Sequence, residues 1–228
     1  KHQKVEDPRF LYWADRLGLL VWGEMASAYH FNVDSISRTA REWMEVVQRD
    51  YNHPSVVVWV PFNESWGVPH LLDRTDERHA VQALYHLLKA LDPTRPVSGN
   101  DGWEHTATDL LTVHDYSPKG DTLQRRYGSG AGQALSEMPA GRFLYLPGFE
   151  RSDAPLIISE FGGIAYRLGT ENGWGYADAR DASELVEQYR QLVEALRRCP
   201  SVAGWCYTQF TDVEQEVNGL VTYDRRPK

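Results

Sequence analysis

Six short runs rich in β-branched and aliphatic residues recur along the chain, and amphipathic stretches separate several of them. This alternation restricts the fold more than any other feature. The runs are LLVW (19–22), SVVVWV (55–60), RPVSG (95–99), LLTVH (110–114), PLIIS (155–159) and VAGWCYT (202–208). Near-continuous apolar runs of this kind fit strands covered on both faces. Phe10, Leu11, Ala14 and Leu17 space as one helical face, and Ala40, Trp43, Val46 and Val47 as a second. Ala80, Leu84, Leu87, Leu88 and Leu91 form a third, stopped by Asp92-Pro93. Leu185, Tyr189, Leu192, Val193 and Leu196 form a fourth, which Pro200 bars from continuing. Asp181, followed three residues later by Glu184, resembles a capping box at its start. Repeated β-then-α units imply parallel strands joined by right-handed crossovers.

Two α/β architectures satisfy that pattern, an open doubly wound sheet and a closed barrel. An open nucleotide-binding sheet usually carries a glycine-rich turn after its first strand. The nearest match, Gly128-Ser129-Gly130-Ala131-Gly132, follows no strand and reads as a flexible loop. A (β/α)8 TIM barrel is therefore the expected fold class, and in it chemistry belongs at the C-terminal ends of the strands.

With 228 residues, the chain suffices for one large domain or two small ones. Its net charge of −8 argues against nucleic acid as a partner. No apolar run approaches a membrane span, so no membrane partner is expected. Two cysteines, Cys199 and Cys206, are too few for a disulfide framework and lack zinc spacing, which makes a reducing, cytoplasmic location the default. The opening KHQKVEDPRF has neither an apolar signal core nor a start methionine, and a fragment is expected. Eight Trp and twelve Tyr mostly serve core packing, but a minority can line a sugar site, because ring faces stack on sugar C–H faces. The histidines form no H-x-H or H-E-x-x-H, and His79 with His86 reads as a solvated pair, so no metal site is expected. No G-x-S-x-G nucleophile elbow occurs.

The strand tips read, in order, Trp22-Gly23-Glu24, Asn63-Glu64, Asn100-Asp101, His114-Asp115-Tyr116, Glu160 and Thr208-Gln209. In a barrel these converge on one mouth. Two facing carboxyls there can cleave a glycosidic bond, one giving its proton to the leaving oxygen while the other attacks the anomeric carbon or activates water. Taken singly, each glutamate is also readable as a helix-start neighbour or a surface group. Composition and spacing do not choose between these readings.

Resemblance does. FNESWG (62–67) resembles the acid/base segment of glycoside hydrolase family 2, and ISEFGG (158–163) its nucleophile segment. GWCYTQFTDVEQEVNGLVTYDRRPK (204–228) is similar to the end of that family's barrel, and KHQKVEDPRFLYWADRLGLLVWGEM (1–25) to the stretch from the tip of strand two through strand three. The similarity covers nearly the whole chain, with residues 119–150 least matched. It implies a single partial TIM-barrel catalytic domain over residues 1–228, with strands three to eight present and the first two strands and last helix missing.

The resemblance also implies roles. Glu64 would be the acid/base, Glu160 the nucleophile and Asn63 a ligand of the sugar 2-hydroxyl. His114 and Tyr116 would sit beside Glu160, with Tyr116 donating a hydrogen bond to it. His2, Asn100 and Trp66 would be further substrate contacts. The implied activity is a retaining cleavage of terminal β-linked sugars, with a β-galactoside as first candidate and β-glucuronides and β-mannosides next. No organic cofactor is implied, while a minor role for an assisting divalent ion and a homo-oligomer of the full-length protein are left open. Two departures stand out. Thr208 occupies the place where several relatives have a tryptophan platform, and the Asn-x-Lys motif that grips a uronic acid is missing. The competing reading is a non-catalytic carbohydrate-binding barrel fragment.

Overall fold

A computed structural model describes residues 1–169 and 172–228. The chain forms two compact units, Lys1–Leu111 with Phe143–Ala154, and Thr112–Arg142 with Pro155–Lys228.

The first unit runs α1 (Pro8–Leu17), β1 (Val21–Glu24), α2 (Val33–Asp50), β2 (Val56–Val60) and α3 (Thr75–Leu91). Asp7 caps α1 by accepting from the Arg9 N–H, Pro8 supplies a φ suited to the first turn, and Gly18 (φ 70°) ends it in the left-handed conformation. Leu11 and Ala14 are buried as the spacing predicts, but Leu17 is 77% exposed. It stands about 120° round the helix from Leu11, off the buried stripe. Asn32 and Ser35 form a reciprocal capping box on α2. Trp43 and Val47 of that helix are buried, and Trp43 meets Trp59 of β2 edge to face, 6.0 Å between ring centroids. Such a pair adds about 0.5–1.5 kcal/mol beyond its burial.

Strands β1 and β2 pair in parallel, Trp22 with Val58 and Glu24 with Val60. The first strand starts two residues later than LLVW implies, because Leu19 and Leu20 stay exposed. The expected strand at 95–99 is a broken track rather than a ladder. It aligns with β2 through two parallel bridges, Trp59 with Val97 and Asn63 with Asp101. Two features interrupt it. Pro96 has no N–H to give, and the turn back at Gly99 is so close that a Cβ there would lie 2.2 Å from the Ala107 carbonyl oxygen. Asp92 stops α3 as predicted.

The second unit holds β3 (Leu111–Asp115, from Thr112 onward), α4 (Gly120–Tyr127), α5 (Gly132–Glu137), β4 (Leu156–Gly162), β5 (Ile164–Ala165), β6 (Ala177–Asp178), α6 (Ala182–Arg197) and β7 (Val202–Thr208). The sheet order is β3-β4-β7, with β4 and β7 parallel. Val113, Leu123, Tyr127, Ile158, Phe161, Leu192 and Leu196 build its core. The cap of α6 is half of the predicted box: Asp181 accepts from the Glu184 N–H, while the Glu184 carboxylate turns to Arg180. β7 departs from the two-face coverage expected of its apolar run. It lies at the sheet edge, with Trp205 39% exposed and Cys206 also exposed. His79 and His86 are exposed, as read. No helix among the described residues is long and apolar enough to cross a membrane.

Candidate active site

At the C-terminal tip of β2 the backbone leaves the strand through two consecutive left-handed residues, Glu64 (φ 52°) and Ser65 (φ 59°), followed by Gly67 (φ 87°). Non-glycine residues in this region cost on the order of 1–3 kcal/mol each and persist only where the surroundings hold them. Here the holding group is Asn100. Its Oδ1 accepts from the Ser65 N–H at 3.0 Å, and its Nδ2 donates to Ser65 Oγ at 3.1 Å and to the Trp103 carbonyl at 2.8 Å. Ser65 Oγ donates in turn to Glu104 Oε2 at 2.5 Å. The Glu64 N–H donates to the Asp101 carbonyl at 2.9 Å, which ties the tip to the 95–101 track. The result is a half-buried Glu64 carboxyl on a tightly held turn.

Next to it, Asn63 is 1% exposed, and neither its Oδ1 nor its Nδ2 has a hydrogen-bond partner among the described residues. Leaving a buried amide unmatched costs about 1–3 kcal/mol, so such an arrangement calls for a reason. Trp66 is 51% exposed. Asn100, expected as a sugar contact, is 0% exposed with its amide engaged on the Ser65 turn. Its observed contacts support the turn.

At the tip of β1, Glu24 is 7% exposed. Burial, and then the nearby charge of Asp101, raise its pKa to about 7, against the opposing pull of a 2.5 Å hydrogen bond from the Gln3 N–H. His2 Nδ1 lies 3.5 Å from Glu24 Oε2, with its side chain more than half exposed.

In the second unit, Glu160 sits near the end of β4 with its side chain 16% exposed. The Tyr116 hydroxyl donates to Glu160 Oε2, and His114 Nε2 lies 3.6 Å from Glu160 Oε1. His114 is fully buried on β3, and burial together with the Glu160 charge holds the Tyr116 phenol well above its ordinary pKa. Asp115, between them in sequence, points the other way, to Arg126 Nη1 at 2.7 Å and the Tyr127 hydroxyl at 2.9 Å. Alternation of side chains along β3 explains the split: residues 114 and 116 share one face and 115 takes the other. After Glu160 the chain turns on Gly162 (φ 89°) and Gly163 (φ 62°). A Cβ on Gly162 would strike the Tyr207 ring at 2.2 Å.

Glu160, His114 and Tyr116 are thus brought together in one unit, and Asn63, Glu64 and Asn100 share the other. Sequence reasoning missed the aromatic pair Tyr176 and Trp174 beside Tyr116. Tyr176 stacks on Tyr116, and its only signal in sequence is the Gly-Trp-Gly-Tyr run at 173–176.

Strand-tip carboxyls on a parallel β/α scaffold define a class of barrel in which chemistry is carried at the C-terminal ends of the strands. Residues 5–228 match the family model described as "Glycosyl hydrolases family 2, TIM barrel domain", and the chain belongs to that family. A β-galactosidase of Klebsiella pneumoniae is 29% identical to it, over 96% of this chain and 21% of that protein. A β-galactosidase of Aeromonas hydrophila is 30% identical over 75% of this chain and 15% of its own length. The chain therefore spans about a fifth or less of these curated relatives. Among solved structures, a galacturonate-bound GH2 β-galacturonidase from Eisenbergiella tayi matches with TM-score 0.72 at 21% identity, covering all of this chain and 42% of that one. Bacteroides uniformis β-glucuronidase 2, covalently bound to a cyclophellitol-6-carboxylate aziridine, matches with TM-score 0.73 at 18% identity, over 100% of this chain and 29% of its own. At these identities the solved structures establish the shared fold.

Proposed function

We propose that this chain carries the catalytic residues of a retaining glycosidase, with Glu160 as nucleophile and Glu64 as acid/base. The observation that carries the reading is the setting of Glu160: a strand-tip carboxylate, mostly shielded, with a phenol O–H donating to one oxygen and a buried imidazole beside the other. Such a donor orients the attacking oxygen and supports its ionised form until it bonds to the anomeric carbon. In the first half-reaction Glu64 would give its proton to the leaving oxygen as the C–O bond breaks and the Glu160–sugar ester forms. In the second, Glu64 would take a proton from the water that releases the sugar.

The unmatched amide of Asn63 supports a hydroxyl-bearing ligand beside Glu64, since a sugar hydroxyl can both donate to Oδ1 and accept from Nδ2. His2 and the exposed Trp66 are the other proposed contacts at that tip. Residues 1–228 are read as one catalytic domain. The tracks β1, β2, 95–101, β3, β4 and β7 are taken as strands three to eight of the barrel. The substrate we infer is a terminal β-galactoside. The curated relatives carry that name, and the sequence lacks an Asn-x-Lys grip for a uronate.

The test uses aryl β-galactosides, β-glucuronides and β-mannosides with the protein as its whole reading frame encodes it. Glu160→Gln should lower kcat by at least about a thousandfold on every leaving group. Glu64→Ala should slow poor leaving groups far more than good ones, because only the poor ones need the proton. Equal losses across all leaving groups in both variants would overturn the assignment of roles. Sugar binding without turnover by the parent would favour a non-catalytic carbohydrate-binding protein.

A further inference from the structure

Tyr116 has one phenolic proton, and it goes to Glu160. Its oxygen can then only accept from a further partner, and the Thr208 side chain acts on it as a nearby donor does, lowering the phenol pKa against the pull of burial. Thr208 closes β7 and pairs with Gly162 in the β4–β7 register, two residues beyond Glu160. The Thr208 hydroxyl, at the tip of β7, is therefore the candidate donor to the phenol that follows β3.

The Tyr116 ring is gripped separately. Tyr176 stacks on it with 3.5 Å between ring centroids and 7° between planes. Trp174 meets Tyr176 edge-on at 5.5 Å and 77°. Both outer rings remain close to half exposed, so core packing alone does not account for their placement. The stack needs glycine at position 163, where a Cβ would lie 2.4 Å from the Tyr176 ring and 3.2 Å from that of Tyr116. The Tyr176 N–H donates to the Gly163 carbonyl at 2.8 Å, which fastens the stack to the strand end bearing Glu160.

We propose that Thr208 and Tyr176 are positioning residues that act through Tyr116: the threonine hydroxyl fixes the phenol oxygen, the tyrosine ring fixes the phenol plane, and together they hold the Tyr116 O–H on Glu160. Neither touches the reacting atoms in this role. The catalytic consequence rests on Glu160 being the nucleophile, whereas the hold on the phenol does not.

Two measurements test it on the whole protein. In the first, 3-fluorotyrosine is placed at position 116 and its 19F resonance recorded. A single sharp signal is expected for the parent, shifted, split or broadened in Thr208→Val and in Tyr176→Leu. Thr208→Ser, which restores the hydroxyl, and Tyr176→Phe, which restores the ring, should return it. A heterogeneous signal in the parent, or one unmoved by both disruptive variants, overturns the proposal. In the second, Thr208→Val should lower kcat about 3–10-fold, the worth of one neutral hydrogen bond, with KM little changed. The same substitution in a Tyr116→Phe background should cost less than about twofold, because the group it acts through has lost its hydroxyl. Losses that multiply independently overturn the proposal even if the fluorine signal responds. If instead Glu160→Gln retains turnover, the assigned nucleophile is wrong and the fluorine result still decides the hold on Tyr116.

Discussion

Glu24 shows how one buried acid can burden the fold that contains it. Its folded pKa of about 7 lies above the ordinary 4.5, chiefly because burial penalises the charged form. The sign follows from proton counting. Between pH 4.5 and 7 the folded chain binds more protons at this site than the unfolded chain, so stability falls as pH rises through that window and stays lower above it. The full cost is on the order of 3 kcal/mol at pH 8. Glu24→Gln keeps an acceptor for the Gln3 N–H and removes the charge. Thermal melts from pH 4 to 8 should show the variant near the parent at the acid end and more stable by several degrees at the alkaline end. A constant offset across the range would place the effect elsewhere. The strand-tip position of Glu24 was legible in the sequence, but its burial was not. Its pKa also answers to Asp101 and Gln3, which lie far apart in the chain and reach Glu24 only once it folds.

At the scale of elements, the junction of α3 with β2 rests on one aspartate. Asp92 ends the helix, accepts from the Trp59 indole N–H at 2.9 Å and from Arg95 Nη1 at 2.6 Å, and caps Thr94 locally. Burial raises its pKa, but the hydrogen bonds from Thr94, Trp59 and Arg95 outweigh it and bring the carboxyl down to about 2. An acid with a lowered folded pKa contributes stability that is complete above its unfolded value near 4 and is lost as pH falls toward 2. That contribution is on the order of 2 kcal/mol. Asp92→Ala, which leaves the Arg95 charge and the indole N–H without this partner, should destabilise by about 3 kcal/mol at pH 7 in urea unfolding. It should also flatten the acid limb of the parent's stability curve.

The Asp92-Pro93 stop was readable because its cause is local. The broken track at 95–99 and the pair α4 and α5 were not. RPVSG has strand composition, yet its pairing is cut by a proline without an N–H and by a carbonyl from Ala107 at Gly99. In residues 119–137 glycines at 120, 128, 130 and 132 mask the helical spacing, and Gly120 is there for packing, since a Cβ would lie 2.7 Å from the Gln191 carbonyl of α6. The phenol stack was hidden for the same reason, because no spacing rule relates Tyr116 to Tyr176 or Thr208.

Across the whole molecule, each compact unit contributes one of the two proposed catalytic carboxyls, Glu64 from the first and Glu160 from the second. A retaining reaction demands carboxyls about 5–5.5 Å apart, too close for a water between them, whereas about 6.5–9.5 Å would give inversion. Stereochemistry therefore reports a whole-molecule property that neither unit has alone. The product formed in the first minutes from an aryl β-galactoside, followed by proton NMR, should be the β-anomer, with the α-anomer appearing only by mutarotation. A 2-fluoro sugar with a good leaving group should inactivate the enzyme stoichiometrically, because the fluorine destabilises the cationic transition states while the activated leaving group still lets the ester form. The label should lie on the peptide containing Glu160. An α-product would place the carboxyls too far apart for direct attack, and a label on another peptide would move the nucleophile. Glu64→Ala should accumulate the same ester without a fluorosugar when the leaving group is good, since release then lacks its base. Azide, a small nucleophile that needs no base, should restore turnover there by at least about tenfold and do nothing for Glu160→Gln, so the two carboxyls answer the same reagent in opposite ways.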